Sequence, residues 1–265
     1  MQRIALALEY DGSDFSGWQR QLSPEIPTVQ QALESALSQV ADTEIKTICA
    51  GRTDSGVHAT CQVVHFDSPV ERNEKAWTRG VNSLLPESVR VIWSKSVGEE
   101  FHARFSATAR RYVYLMLCSR AGSAIHAGKL TTVHHQLNLP AMQKAADHLV
   151  GEQDFTSFRA AGCQSKTPFR EVLSARMTSR GEIVYLDIQA NAFLQHMVRN
   201  IVGALLAVGR GEQAPEWIGE LLAARDRTRA GIAAPPDGLY LMQVDYPATF
   251  ALPQTSRMPL LIGDQ

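Results

Sequence analysis

A chain of 265 residues, 45% hydrophobic and 20% charged, is long enough to bury a substantial core in one large domain or two smaller ones. No apolar run approaches the ~20 residues a membrane helix needs, and the start MQRIALALEYDG lacks a signal-peptide pattern, so we expect a cytoplasmic protein with no membrane association. A net charge of −1 excludes a globally basic nucleic-acid binder, so any phosphate-binding surface must come from local clustering.

In chain order, RIALALEY alternates as a half-buried strand, with Ile4, Leu6 and Leu8 against Ala5, Ala7 and Glu9. TVQQALESALSQVAD then switches to helical period, with Val29, Leu33, Ala36, Leu37 and Val40 on one face and a capping box of Thr28 with Gln31. IKTICA and TCQVVHF read as strands, a helix is expected over 73–85, and SVRVIWSKSV is a further strand. The pattern then recurs. RRYVYLMLCS is a strand, and LPAMQKAADHLVGE is a helix with Pro140 near its start and Gly151 at its end. EVLSARMTSRGEIVYLDIQA reads as a hairpin turned at Arg180-Gly181, followed by helices over about 193–208 and 215–225 and the strand GLYLMQVDY. This order predicts an α+β protein of two similar halves with mostly antiparallel sheets. The expected boundaries are 1–104, 105–250 and a loose tail at 251–265.

Between two of the apolar runs, CAGRTDSGVHAT (49–60) packs Arg52, Asp54 and His58 into a segment with Gly51 and Gly56. An Asp beside glycine serves a turn, since its side chain can hydrogen-bond its own backbone. Three features point beyond that. The loop sits at a sheet end, where sites are often built. Arg52 can hold the carboxylate ionised, as a nucleophile requires. No second acid stands nearby to make a glycosidase pair. His58 reads as a loop-shaping residue.

FHARFSATARRYVY (101–114) carries His102, Arg104, Arg110 and Arg111 with no acid, interleaved with Phe101, Phe105, Tyr112 and Tyr114. A solvated linker accounts for the charge, yet arginine for phosphate and aromatics for stacking is also what RNA binding needs. Tyr112 shares a strand face with Tyr114 and serves equally as core. SFRAAGCQSKTPFREV (157–172) is a second basic loop, with Arg159, Lys166 and Arg170 against Glu171. In FLQHMVRNIVGALLAVG, the residues Gln195, His196, Arg199 and Asn200 form a polar stripe, for which the plain account is the wet side of an amphipathic helix. His65 and the pair His134-His135 lack a spaced partner and read as structural. Cys49, Cys61, Cys118 and Cys163 never approach CxxC spacing and suit reduced cytosolic thiols. No GxGxxG, Walker loop or HExxH is present, so neither a nucleotide cofactor nor a metal is expected.

Together EYDGSDFSGWQRQ, CAGRTDSGVHATCQVVHF, FHARFSATARRYVY, NAFLQHMVRNIVG and GLYL resemble the tRNA pseudouridine synthase A family, in order from about residue 3 to 247. Ser55 and Ala59 stand where that family often has Ala and Gly. The resemblance implies the pseudouridine synthase fold, with the halves joined into a central mixed sheet carrying a basic RNA-binding cleft. It also implies isomerisation of uridine to pseudouridine at positions 38 to 40 of the tRNA anticodon stem-loop, by a homodimer without cofactor or metal. Asp54 matches the catalytic aspartate, Tyr112 the tyrosine that stacks on the base or takes its proton, and Arg199 the residue paired with the aspartate. Leu239 matches an apolar pocket position. By the same resemblance RNA contacts fall to Phe101, His102, Ala103, Arg104, Phe105, Arg110 and Arg111, and to Gly162, Cys163, Gln164, Ser165 and Lys166. Because reaching a stem base demands its extrusion, Arg52, beside the nucleophile, is the candidate for base flipping. Two alternatives are a tRNA-binding or tRNA-folding protein that keeps the fold without the reaction, and a cofactor-free nucleosidase. The second needs a further carboxylate or an activated water.

Overall fold

A computed structural model describes every residue except Pro24, Ser256 and 260–265. It divides into two compact units, 1–108 with 240–265, and 109–239.

The first unit opens with β1 (Gln2–Tyr10), which lies antiparallel between β3 (His58–Ser68) and β4 (Val89–Val97). Central placement buries both faces from Ile4 to Leu8, where alternation alone predicts one. Between β1 and β3 the chain forms α1 (Val29–Ala41) and the two-residue β2 (Ile48–Cys49), which pairs with β3. Half of the expected capping box is present: Thr28 Oγ1 accepts the Gln31 N–H at 3.3 Å, but among the described residues Gln31 Oε1 accepts no bond in return. The buried face of α1 departs from its apolar stripe. Val40 is half-exposed, Ala41 is buried, and so is Glu34. Its Oε1 accepts from Gln30 Nε2 (2.9 Å), the Thr47 N–H (2.8 Å) and the Thr47 hydroxyl (3.1 Å), so the polar group is satisfied. The helix over 74–82 contains a π turn at Ala76–Gly80.

In the second unit β5 (Ala109–Cys118), β9 (Ile183–Ala190), β8 (Phe169–Arg180) and β7 (Gly151–Asp154) form an antiparallel run. The short β6 (Thr131–Val133) pairs parallel with β5. The β8–β9 hairpin pairs Arg180 with Ile183, so its turn is Gly181-Glu182, one residue later than expected. Helix α2 (Leu139–Asp147) is capped by Asn138, whose Oδ1 accepts the Ala141 N–H at 3.1 Å, and it packs against β8 and α3 (Met197–Gly209). It stops before Gly151, which opens β7 rather than ending the helix. The helix expected from 193 begins at Met197, because His196 takes a left-handed backbone (φ 61°). Helix α4 (Trp217–Ala224) follows.

The chain then returns to the first unit, where β10 (Leu239–Asp245) runs parallel to β3 with Tyr240 opposite His58. Of the tail expected to be loose, Ser256 and 260–265 lie outside the described residues. The rest is tied down. Trp93 Nε1 donates to Thr255 Oγ1 at 2.9 Å, Thr60 Oγ1 donates to the Arg257 carbonyl at 3.0 Å, and Pro259 is buried.

Candidate active site

Asp54 sits half-buried on the turn that leads into β3, and its carbonyl accepts the Val57 N–H at 3.2 Å. The turn is braced from one side by residues 11–18. The Trp18 N–H donates to the Thr53 carbonyl (3.0 Å), and the Phe15 carbonyl accepts the Gly56 N–H (3.4 Å) and the Ser55 hydroxyl (3.2 Å). From below, the Tyr10 and Thr53 hydroxyls lie 2.8 Å apart and Gln62 Nε2 donates to the Gly51 carbonyl at 2.6 Å. This closeness needs glycine at two places. A Cβ on Gly12 would stand 2.1 Å from the Val57 carbonyl oxygen, and Gly17 has φ +90° with its Cβ position 2.9 Å from the Thr53 oxygen. A carboxylate on so braced a turn is positioned by backbone, not by its own flexible reach. Arg52 is exposed. Cys49, at the head of the segment, is no competing nucleophile: burial pushes its thiol up to about 12. His58, expected in the loop, is instead the buried first residue of β3.

In the same unit, residues 101–105 divide into a buried and an exposed set. Phe101 and Ala103 are fully buried, with Phe101 against Tyr246 and Phe250, and with the Ala103 carbonyl accepting the Tyr246 hydroxyl at 2.7 Å. The Ala103 N–H donates to His65 Nδ1 at 3.1 Å. Burial, with His102 and Arg3 adding repulsion, lowers His65 to about 4, so its ring is neutral. His102 folds its own turn, its Nδ1 accepting the Arg104 and Phe105 N–H groups at 3.2 and 3.1 Å. The outward pair is Arg104 and Phe105. Phe105 is 78% exposed, stacks on His102 at 4.3 Å, and has the Arg104 guanidinium 5.7 Å from its centroid. Side chains that could meet a nucleic acid here are therefore His102, Arg104 and Phe105, with Phe101 and Ala103 as their foundation.

In the second unit Tyr112 is buried on β5, with the Phe193 ring edge-on at 5.1 Å. Tyr114, on the same face, is committed to the core. Its hydroxyl lies 2.6 Å from Thr131 Oγ1 and donates to the Pro235 carbonyl at 2.8 Å, and burial raises its pKa. Arg111 forms a two-point ion pair with Asp187 on β9, at 2.7 and 2.5 Å, and Arg110 is buried with Nη1 on the Asn191 carbonyl at 3.0 Å. Both guanidinium groups thus serve the protein itself. On α3, Arg199 is half-buried and joined to Ala234 at two points, Nε donating to the Ala234 carbonyl (2.8 Å) and the Ala234 N–H to the Arg199 carbonyl (2.9 Å). Its neighbour Asn200 does not face water. It is buried, with Nδ2 on the Phe158 carbonyl (2.7 Å) and Oδ1 accepting from Arg227 (2.9 Å). Leu239 is buried at the head of β10. The loop 159–170 is built on its own arginines: Arg159 holds the Cys163 carbonyl (2.7 Å), and Arg170 holds Ser165 Oγ (2.7 Å) and the Thr167 carbonyl (3.0 Å). Gly162, Gln164 and Lys166 are exposed at its tip. Burial raises the Cys163 pKa, but the Ser165 and Gln195 N–H groups, with Arg159 and Arg170, outweigh it and lower the pKa overall. Phe193 and Ala234 escaped the sequence analysis, since neither residue type carries chemistry of its own and each is defined by a distant partner.

Among the described residues no group of three His, Cys, Asp or Glu side chains is placed to hold a metal, and no helix is long and apolar enough to cross a membrane. Comparison with known proteins decides what such a turn belongs to. A family model described as tRNA pseudouridine synthase matches residues 6–106 and 145–247. The chain belongs to this family. It is 53% identical over 262 residues to tRNA pseudouridine synthase A of Idiomarina loihiensis, covering 99% of this chain and 100% of that one. The enzymes of the same name from Pectobacterium atrosepticum and Vibrio cholerae are also 53% identical over 99% of this chain, covering 92% and 98% of theirs. Among solved structures, a chain of a Cbf5-Nop10-Gar1 complex matches with a TM-score of 0.35 at 14% identity, covering 77% of this chain and 45% of that chain, too faint a likeness to inform the fold.

Proposed function

We propose that the protein converts uridine to pseudouridine at positions 38, 39 and 40 of the tRNA anticodon stem-loop, as a homodimer in the cytoplasm. The observation that carries this is family membership along the whole chain, with 53% identity to relatives named tRNA pseudouridine synthase A. The reaction is an isomerisation. The C1′–N1 bond breaks, the uracil turns, a C1′–C5 bond forms, the C5 proton leaves and N1 gains one, with no change of oxidation state.

In this reading Asp54 is the nucleophile, toward C1′ or toward C6 of the ring, and the braced turn holds its carboxylate at a fixed place. Tyr112, stiffened by Phe193, stacks on the base and takes the C5 proton. Arg199 pairs with the carboxylate: Ala234 fixes Nε, and a guanidinium has further donors at its two terminal nitrogens. Leu239 lines the pocket. The exposed Arg52 fills the place of the extruded uridine, a step that costs a few kcal/mol. His102, Arg104, Phe105 and the loop 162–166 take the RNA backbone and unpaired bases.

Release of tritium from C5-labelled uridine in unmodified tRNA tests the reading. Wild-type protein is expected to release it only when labelled uridine stands at 38, 39 or 40, and Asp54→Asn to reduce turnover by at least ~10³-fold. No release by the wild type sinks the isomerase reading, and release that survives Asp54→Asn sinks the nucleophile assignment.

A further inference from the structure

His58 is the one member of the GRTDSGVHA segment with chemistry of its own that the reading above leaves without a role. It is buried to 1% exposure, four residues beyond Asp54, and its ring stacks on Tyr240 at 4.6 Å and 22°. Its Nδ1 accepts the Gly12 N–H at 3.0 Å. The same atom lies 3.1 Å from Asp11 Oδ1, and it cannot both accept from Gly12 and donate to Asp11. Asp11 Oδ1 already accepts the Ser13 N–H (3.1 Å) and the Ser13 hydroxyl (2.8 Å). With the Gly12 N–H on Nδ1, the ring proton is placed on Nε2.

From that bond a circuit runs back to the nucleophile turn. Gly12 donates to His58, the Gly12 carbonyl accepts the Phe15 N–H at 3.0 Å, and the Phe15 carbonyl accepts the Gly56 N–H and the Ser55 hydroxyl. Gly56 is two residues from Asp54 and two from His58, which closes the ring. Without the acceptor at Nδ1, Gly12 and the turn that follows it lose one tie to β3, and Phe15 loses one of the bonds behind its hold on Ser55 and Gly56.

We propose that His58 is a positioning residue for the isomerisation, acting through its Nδ1 acceptor on Gly12 to hold the Asp54 turn in reacting geometry. The proposal rests on the reading of Asp54 as nucleophile. Two variants separate the acceptor from the ring: His58→Phe keeps the stack on Tyr240 without the acceptor, and His58→Asn keeps an acceptor where Nδ1 stands without the ring. In steady-state tritium release, His58→Phe is expected to lose ~10–100-fold in kcat with KM for tRNA within about twofold, since small misplacements of a reacting group cost rates of this order. His58→Asn is expected to recover kcat to within about threefold of wild type. Amide exchange at Phe15 and Gly56 should quicken in His58→Phe and not in His58→Asn. If His58→Phe does not fold, His58→Leu serves as the acceptor-free variant.

The proposal is overturned if the acceptor-free variant keeps wild-type kcat, or if it and His58→Asn fall alike. Full release by Asp54→Asn would instead overturn the nucleophile reading on which it stands. An inactive Asp54→Asn beside a fully active acceptor-free variant removes the role of His58 alone.

Discussion

Residues 101–106 and 109–114 read as one basic, aromatic stretch, yet the two ends belong to different units and use the same residue types oppositely. In the first, the arginine and one phenylalanine point outward: Arg104 and Phe105 are exposed, while Phe101 is buried beneath them. In the second, both arginines are taken up by the protein, Arg111, its side chain 36% exposed, by Asp187 and Arg110 by a carbonyl, and both tyrosines are buried. Composition tells how many cations a segment has. It does not tell how many are available to a ligand, because that depends on partners far along the chain.

The contrast is broken most easily at its aromatic ends. Phe101→Ala should cost about 3–5 kcal/mol of stability in urea denaturation, the usual range for truncating a fully buried phenylalanine. Phe105→Ala should stay within about 0.5 kcal/mol of wild type, as surface changes do. Equal costs would show that exposure does not divide this segment as described.

Beneath Phe101 and Ala103 lies His65, held near 4 by burial first and then by His102 and Arg3, against Asp67. Its proton is disfavoured in the folded state, so the unfolded chain binds it more tightly. The contribution of the neutral ring is therefore complete above about pH 6.5 and lost progressively as pH falls toward 4. Wild-type stability should drop over that window by up to about 3 kcal/mol more than in His65→Gln, read from urea midpoints at each pH. Parallel pH profiles would remove His65 as the titrating group.

How much of this was legible beforehand follows from range. The Thr28 half of the capping box, the β8–β9 hairpin and the period of α1 are local patterns, and all three are present in the structure. The turn carrying Asp54 was also legible, because its glycines and its flanking apolar strands lie within a dozen residues. What failed to show was long-range. Glu34 is acidic and buried because Thr47, thirteen positions on, supplies its donors. His58 belongs to a strand because of its pairing with Tyr240. Asn200 sits in a polar stripe that periodicity turns to water, yet Phe158 and Arg227 bury it. Strands as short as β6 and β7 carry too few residues for alternation to reveal.

The cations taken up by the protein predict a smaller loss. Arg111→Ala leaves Asp187, whose side chain is 16% exposed, without its two-point partner. Stability should fall by about 1–3 kcal/mol, with most of the cost coming from the stranded carboxylate. Arg111→Ala/Asp187→Ala should therefore recover part of it, and a double variant no more stable than Arg111→Ala would contradict the pairing.

The smallest effect belongs to the outward end and lies in binding, not stability. Arg104 rests over Phe105 in water, so Arg104→Ala should move the denaturation midpoint little. If it meets a phosphate, its loss removes one released counterion. The slope of log Kd for tRNA against log salt should then fall by about 1. Arg111→Ala, whose charge is already answered by Asp187, should leave that slope where it is. The two slopes measured side by side decide the comparison, because stability cannot move them. A slope that falls for Arg111→Ala and not for Arg104→Ala would place the RNA on the arginines that the protein takes up and reverse the division drawn between the two ends of the segment.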